Sequence, residues 1–571
     1  MIKELSKHQR VFLLLGLVLG IFSMALAKFD KTYRFIPLEL FARLLFFIFL
    51  FIAYFSSFRK EEVKEFAGRI NPKLFLFVLL LAFVSRFIFL QQYPYASIGD
   101  ELRDSGLNAL RIYQGEIKNI FGYGSYDGYG LGIPFFSSLF YRIFGSSVLT
   151  FRVPAALISI LDISLIYLLC VFLFHYKVAF WTTMIMVSSW WHLYLSRTEL
   201  VVILDSFIAS LILLVFFLLK RRKLLDFALF GTILGFSLGF HASTRVFLVL
   251  LPMVIFYLLF FKKEGLKWRF GKILLVLLYF FVGVGPRLWY GNLDAVSQRN
   301  KSFYYKNEDV SLNELSTRYK KSLMVWFYEP LQSRFPGEKP ILSPILFFFF
   351  LTGFFALLFI IFKKKNYSLF VLYLFGFLIP FSNSALTDTL NFGQRLIPLL
   401  PIGSVFCGFG INFLLSKIKQ KIIYLAASSM IFIYLFFSVV SFFYKRQANY
   451  NHDVSDFLSM HIIYFLKKNG ASSDKTICLR LSPENSSNFD LMHYKEQYEY
   501  FFPGIKFEMS PNDLMKNSEV YIYSGSCQRN SLSSNLQDQA VLGRKLFRVD
   551  CSKNNSFVCP LANNSDFSIY Y

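Results

Sequence analysis

The chain predicts an all-α polytopic membrane protein of about 13 transmembrane helices, followed by a small C-terminal α/β or α+β domain. Three observations carry this. Of 571 residues, 55% are hydrophobic and 20% aromatic, above the roughly 45–50% apolar share of a soluble domain. The excess is gathered into runs such as 74–90, 201–219, 246–261 and 341–362, which reach or approach the ~20 residues that cross ~30 Å of hydrocarbon. Lys and Arg stand in short clusters between the runs. A soluble enzyme, a fibrous protein and a disordered chain are excluded.

Taken in order, spans are expected at 11–27, 35–57, 73–90, 150–174, 177–195, 199–219, 224–240, 244–261, 271–288, 341–362, 367–382, 396–415 and 421–444. The first follows Lys3, Lys7 and Arg10 and ends Ala25-Leu26-Ala27, the pattern of a cleavable signal peptide; its length favours a retained helix. The span 177–195 carries Trp181, Trp190, Trp191 and His192, which draws its outer end to the interface.

Charge orients these spans. With a cytoplasmic N-terminus, the inner loops hold 24 Lys/Arg against five acids, with the clusters Lys220-Arg221-Arg222-Lys223 and Lys363-Lys364-Lys365 among them. The outer loops are longer and far more evenly balanced, as the positive-inside bias requires. All but +1 of the formal net charge of +24 therefore belongs to the membrane part, because 445–571 holds 14 basic and 13 acidic residues. Nucleic acid is not the partner of such loops; membrane lipids are. The expected location is an inner (cytoplasmic) membrane with the tail extracytoplasmic, where Cys478, Cys527, Cys551 and Cys559 can pair. Cys170 and Cys407 lie in apolar runs as small hydrophobes.

Three parts follow. Residues 1–72 supply two N-terminal helices and a cytoplasmic loop. Residues 73–444 form the membrane unit, with long outer loops at 91–149 and 289–340. Residues 445–571 form the polar domain, with a helix expected over 456–468 and strands over 475–481 and 519–523. No internal repeat is evident.

The outer loops hold the candidate chemistry. Gly99-Asp100-Glu101-Leu102-Arg103-Asp104 gathers three acids and one Arg beside a span. Burial raises a carboxylate pKa and a neighbouring Arg lowers it, and such a carboxylate can take a proton from a nucleophile. The plainer reading is a helix cap, Asp100 at the N-cap with Glu101 and Asp104 in the first turn. One Asp can serve both ends. The Gly/Tyr-rich stretch around Tyr126 suits a sugar face or a lipid interface. Arg197 and Glu199, His241 and Arg245, and Arg395 mark three other outer helix ends. One interfacial Arg is explained by snorkelling; three on the side of the acidic loop suggest a bound anion. Asp162 and Asp205 fall inside spans, as helix–helix ties or functional acids.

The order of these features resembles the GT-C membrane glycosyltransferases, in the branch of the protein O-mannosyltransferases and lipid A aminoarabinose transferases. The elements are Gly99-Asp100-Glu101, Tyr126–Pro134, Phe144-Gly145, Phe151-Arg152-Val153-Pro154-Ala155-Ala156-Leu157, Tyr194–Arg197, Gly235-Phe236-Ser237, Ser243–Phe247 and Gln394–Pro401. They cover about 73–415. The resemblance implies Asp100 as catalytic base with Glu101 beside it, a polyprenyl-phosphate-linked sugar as donor, and inversion at the anomeric carbon. It implies Arg245 and Arg395, then Arg197 and Arg299, as holders of the donor phosphate. Glu199, His241, Arg103, Asp104 and Tyr126 would support them. Two helices precede the family's usual first one, and Ile133-Pro134 replaces its common Pro-Pro. Whether a divalent metal assists is open; Asp100, Glu101, Asp104 and Glu199 can supply oxygen ligands. The acceptor, whether lipid, glycan or protein, is not legible. Two other functions compete: a lipid-linked saccharide flippase or transporter, and an O-antigen type polymerase or ligase.

Overall fold

The computed structural model describes residues 5–30, 32–58, 60–91, 101–122, 130–145, 147–198, 202–240, 242–260, 265–290, 311–328, 340–386 and 393–444, and five strands beyond them. The membrane part is a helical bundle. Its helices are α1 Lys7–Phe29, α2 Ile36–Phe55, α3 Lys60–Arg69, α4 Pro72–Phe87, α5 Leu107–Gln114, α6 Gly132–Phe144 and α7 Val148–Leu173. Next come α8 Tyr176–Ser188, α9 Trp190–Leu195, α10 Ile203–Leu218, α11 Leu224–Ser237, α12 Leu250–Phe260, α13 Leu266–Val284 and α14 Arg287–Tyr290. The last are α15 Leu312–Met324, α16 Leu346–Lys364, α17 Phe370–Leu386, α18 Leu399–Leu415 and α19 Lys421–Tyr444.

Each expected span has a helix within it. Among the described residues eight helical stretches are long and apolar enough to cross a membrane, and a ninth if α3 and α4, bent by 68° at their junction, form one span. α11 and α18 are shorter apolar helices. α13 carries Lys267, Arg269 and Lys272 near its start. The expected span 177–195 is broken: Ser189 is extended, with φ −63° and ψ 124°, and its hydroxyl caps α9. Two helices replace one.

In lipid, helix pairs gain little from apolar burial and rely on close packing of small residues. Gly231 and Gly235 place one face of α11 against α13: a Cβ on Gly235 would stand 2.0 Å from the Phe280 carbonyl oxygen, and one on Gly231 2.4 Å from that of Val276. Gly353 and Gly410 play the same part between α16 and α18, at 1.8 Å from the Phe406 and 1.9 Å from the Phe349 carbonyl oxygens. The obstacles are backbone, so an added methyl must part the helices. Gly235→Ala is expected to destabilise the bundle by about 1–3 kcal/mol, read as a lowered melting temperature in detergent.

Beyond the bundle lie β1 Thr476–Leu481, β2 Lys506–Pro511, β3 Val520–Ser524, β4 Leu546–Val549 and β5 Phe567–Tyr570. β1 is central, parallel to β2 and antiparallel to β3; β4 and β5 pair antiparallel. The strands expected at 475–481 and 519–523 are thus present. The expected helix 456–468, and Cys527, Cys551 and Cys559, lie outside the described residues. Cys170 and Cys407 are free and buried.

Candidate active site

The acidic loop emerges from α4, and the structure shows how its ends are held. Glu101 opens a single π-type turn, Glu101–Gly106, that runs into α5. Its side chain is fully buried, as is that of Arg152 on α7. Arg152 donates from Nε to Glu101 Oε1 at 2.9 Å and from Nη2 to Oε2 at 3.1 Å. The same guanidinium donates from Nη1 to the Leu90 carbonyl at 3.1 Å. One side chain therefore gathers both ends of the stretch 90–101. The planar fork matches two carboxylate oxygens at once, so the loop closes onto α7 at a fixed point. Asp100 lies outside the described residues, one peptide bond before that point.

Arg197 reinforces the clamp. It is fully buried and donates from Nη1 to the Ser85 and Arg86 carbonyls, both at 2.9 Å, and from Nη2 to that of Ile88 at 2.7 Å. These are carbonyls at the C-terminal end of α4, which lack intrahelical partners. The arginine expected at a phosphate thus serves the end of a helix.

A second buried network ties α4, α7, α9 and α10. Arg86 donates from Nη2 to His192 Nδ1 at 2.8 Å. Guanidinium has no acceptor, so Nδ1 carries no proton and Nε2 donates to Asp162 Oδ2 at 3.1 Å. Ser210 donates to the other Asp162 oxygen at 2.5 Å. All four side chains are fully buried. Asp162 is a helix–helix tie, and a neutral imidazole bridges it to the cation.

The arginine segments lie on two short 3-10 helices, Ala242–Val249 and Gly393–Leu396, that pack against each other. They bring the segments that bear Arg245 and Arg395 together, each arginine half-buried. The first segment is pinned by Ser243, which donates to Asp205 Oδ2 at 2.5 Å, and by Thr244, which donates to the Ser237 carbonyl at 3.1 Å. Asp205 on α10 thereby orients the turn that bears Arg245. The end of the first outer loop packs beside the link from α11 to this turn. A Cβ on Gly132 would meet the Phe240 ring at 3.3 Å, and one on Gly130 would stand 2.3 Å from the Gly239 carbonyl oxygen and 1.8 Å from Arg287 Nη2.

Tyr126, Glu199, His241 and Arg299 lie outside the described residues, as do the side chains of Arg103 and Asp104. Among the described residues no group of three His, Cys, Asp or Glu is placed to hold a metal. Sequence reasoning missed Arg152 as the partner of Glu101, and it missed Arg287. The sign of the first was a lone Arg after Phe151 near the start of a span. The second had none: its guanidinium meets Gly130 from 157 residues away.

Residues 130–290 match the family described as dolichyl-phosphate-mannose-protein mannosyltransferase. Among curated proteins no sequence matches significantly. Several solved structures are similar at low identity. ArnT from Cupriavidus metallidurans in the apo state is 12% identical, with TM-score 0.42 and 75% of each chain covered. The oligosaccharyltransferase AglB from Archaeoglobus fulgidus, in complex with an inhibitory peptide and a dolichol-phosphate, is 13% identical with TM-score 0.45; 76% of this chain and 64% of that one are covered. The stretch 130–290 holds Arg152, Asp162, Asp205 and Arg245, which contribute to the clamp, the network and the arginine turn. The chain is a multi-pass membrane protein, and its likeness to the mannosyltransferase family runs through residues 130–290.

Proposed function

We propose that the protein transfers a sugar from a polyprenyl-phosphate donor to an acceptor on the extracytoplasmic face of the inner membrane. The observation that carries this reading is the Arg152 clamp on Leu90 and Glu101. It holds the peptide next to Asp100 rigidly against α7, as a catalytic carboxylate requires. In this reading Asp100 takes the proton of the acceptor hydroxyl. The acceptor oxygen attacks the anomeric carbon, the carbon–oxygen bond to phosphate breaks on the opposite face, and the configuration inverts. Arg245 and Arg395 neutralise the charge that develops on the departing phosphate. Glu101 and Arg197 are positioning residues, because their polar atoms are engaged within the fold.

A glycosyl phosphate is already a good leaving group, so charge neutralisation and one base suffice. Asp162 and Asp205 bear on the transporter alternative. A transport path at the midplane would want its acids facing a cavity, whereas Asp162 binds His192 and Ser210, and Asp205 binds Ser243. The experiment is to incubate purified protein with a panel of polyprenyl-phosphate sugars and follow the release of free polyprenyl phosphate. No release with any donor overturns the reading. Charge-assisted hydrogen bonds contribute about 1.5–3 kcal/mol. Arg245→Ala is therefore expected to raise the KM for donor roughly 10- to 100-fold, and Arg245→Lys less; steady-state kinetics over donor concentration checks it.

A further inference from the structure

The break between α8 and α9 does more than interrupt a span. It opens onto a cavity of about 330 Å³ enclosed by Ser188–Trp190, the turn Pro340–Pro344 and the outer half of α19, at the lower end of small-molecule site sizes. Among the described residues no charged side chain lines it. Neither a phosphate nor an ammonium group would find a counter-charge there.

The lining is nevertheless polar in a specific way. Ser188, Ser438 and Ser441 each give their single hydroxyl proton to a backbone carbonyl, of Ile185 at 3.1 Å, Ser188 at 3.1 Å and Ser438 at 2.9 Å. Their oxygens keep acceptor capacity. Ser189 Oγ accepts from the His192 backbone N–H at 3.4 Å and keeps its proton. The Trp190 indole N–H is buried and has no acceptor among the described residues. The ring itself is held edge-on to Phe442, with centroids 4.9 Å apart. The cavity is thus lined by the Ser189 hydroxyl as a donor and by the other serine oxygens as acceptors, all neutral. A group that answers both must donate and accept through the same atoms, which is the chemistry of sugar hydroxyls. An alkyl chain would leave the Ser189 hydroxyl and the serine oxygens unmatched.

We propose that this cavity is a saccharide subsite that takes one neutral sugar ring. Its assignment to the acceptor rests on the transferase reading above; the binding itself does not. Ser189 also caps the helix that carries His192, so occupancy would be felt at the Arg86–His192–Asp162 network.

The test needs no donor. Purified protein in lipid nanodiscs is titrated with methyl pyranosides of glucose, mannose, galactose and N-acetylglucosamine, followed by saturation-transfer NMR. Octyl pyranosides form the lipid-linked arm, with octanol and inorganic phosphate as controls. Saturable binding is expected for at least one pyranoside and not for phosphate or octanol. Ser189→Ala removes the donor; Ser438→Ala removes an acceptor. Each is expected to weaken binding about tenfold, the scale of one hydrogen bond. No saturable pyranoside binding, octanol binding as well as octyl pyranoside, or unchanged affinity in both folded variants overturns the proposal. Should the pyranosides bind while no donor releases polyprenyl phosphate, the subsite stands and the transferase reading falls.

Discussion

Asp100→Asn is expected to abolish sugar transfer while leaving a protein of normal yield, helicity and melting temperature. A positioned general base contributes about 10²–10⁴-fold to rate, and an amide in its place cannot accept the acceptor's proton. The fold should tolerate the change. The Arg152 clamp holds the neighbouring Glu101 and Leu90, and the amide matches the carboxylate closely in volume. The measurement is polyprenyl phosphate release per unit of folded protein, with circular dichroism on the same sample. Full activity in Asp100→Asn would remove the base from its assigned position and the mechanism with it.

Arg152→Ala is expected to have the largest effect on stability and to stop transfer as well. Both members of the Arg152–Glu101 pair are fully buried, and removing one member of such a pair leaves a charge without compensation, at a cost of about 3–5 kcal/mol. Arg152→Lys should recover little, since an ammonium cannot reach two carboxylate oxygens and the Leu90 carbonyl together. The pair's own net contribution is a separate matter. Replacing both residues together, Glu101→Met with Arg152→Met, should restore much of the melting temperature without restoring transfer. Thermal unfolding in detergent and the release assay separate the two effects. If the double variant transfers sugar, the clamp is dispensable to catalysis.

The transmembrane character is legible in the sequence, because hydropathy acts over one helix at a time. A run such as 341–362 must be helical in lipid whatever its neighbours do, since its backbone can find hydrogen bonds only within itself. The strands at 476–481 and 520–524 are legible for a different reason, as β-prone runs bounded by Ser- and Asn-rich stretches. The break at Ser189 was hidden, because Ser188-Ser189 inside an apolar run reads as mild polarity. Its trace was the Ser-x-x-His spacing of an N-cap, which periodicity outweighs.

What the order of residues determined by itself is the membrane class, the acidic loop after the third apolar run, and the arginines at outer helix ends. Only tertiary structure decided what those arginines touch. Arg197 serves the carbonyls that end α4, while Arg245 and Arg395 stand on adjoining turns. Arg152, unmarked among candidate residues, closes the loop beside Asp100. The reason is that a guanidinium carries five donors and a long stem. Whether it meets an anion, a carbonyl or a carboxylate depends on which helix packs across from it, and that partner is 51 to 112 residues away in the chain.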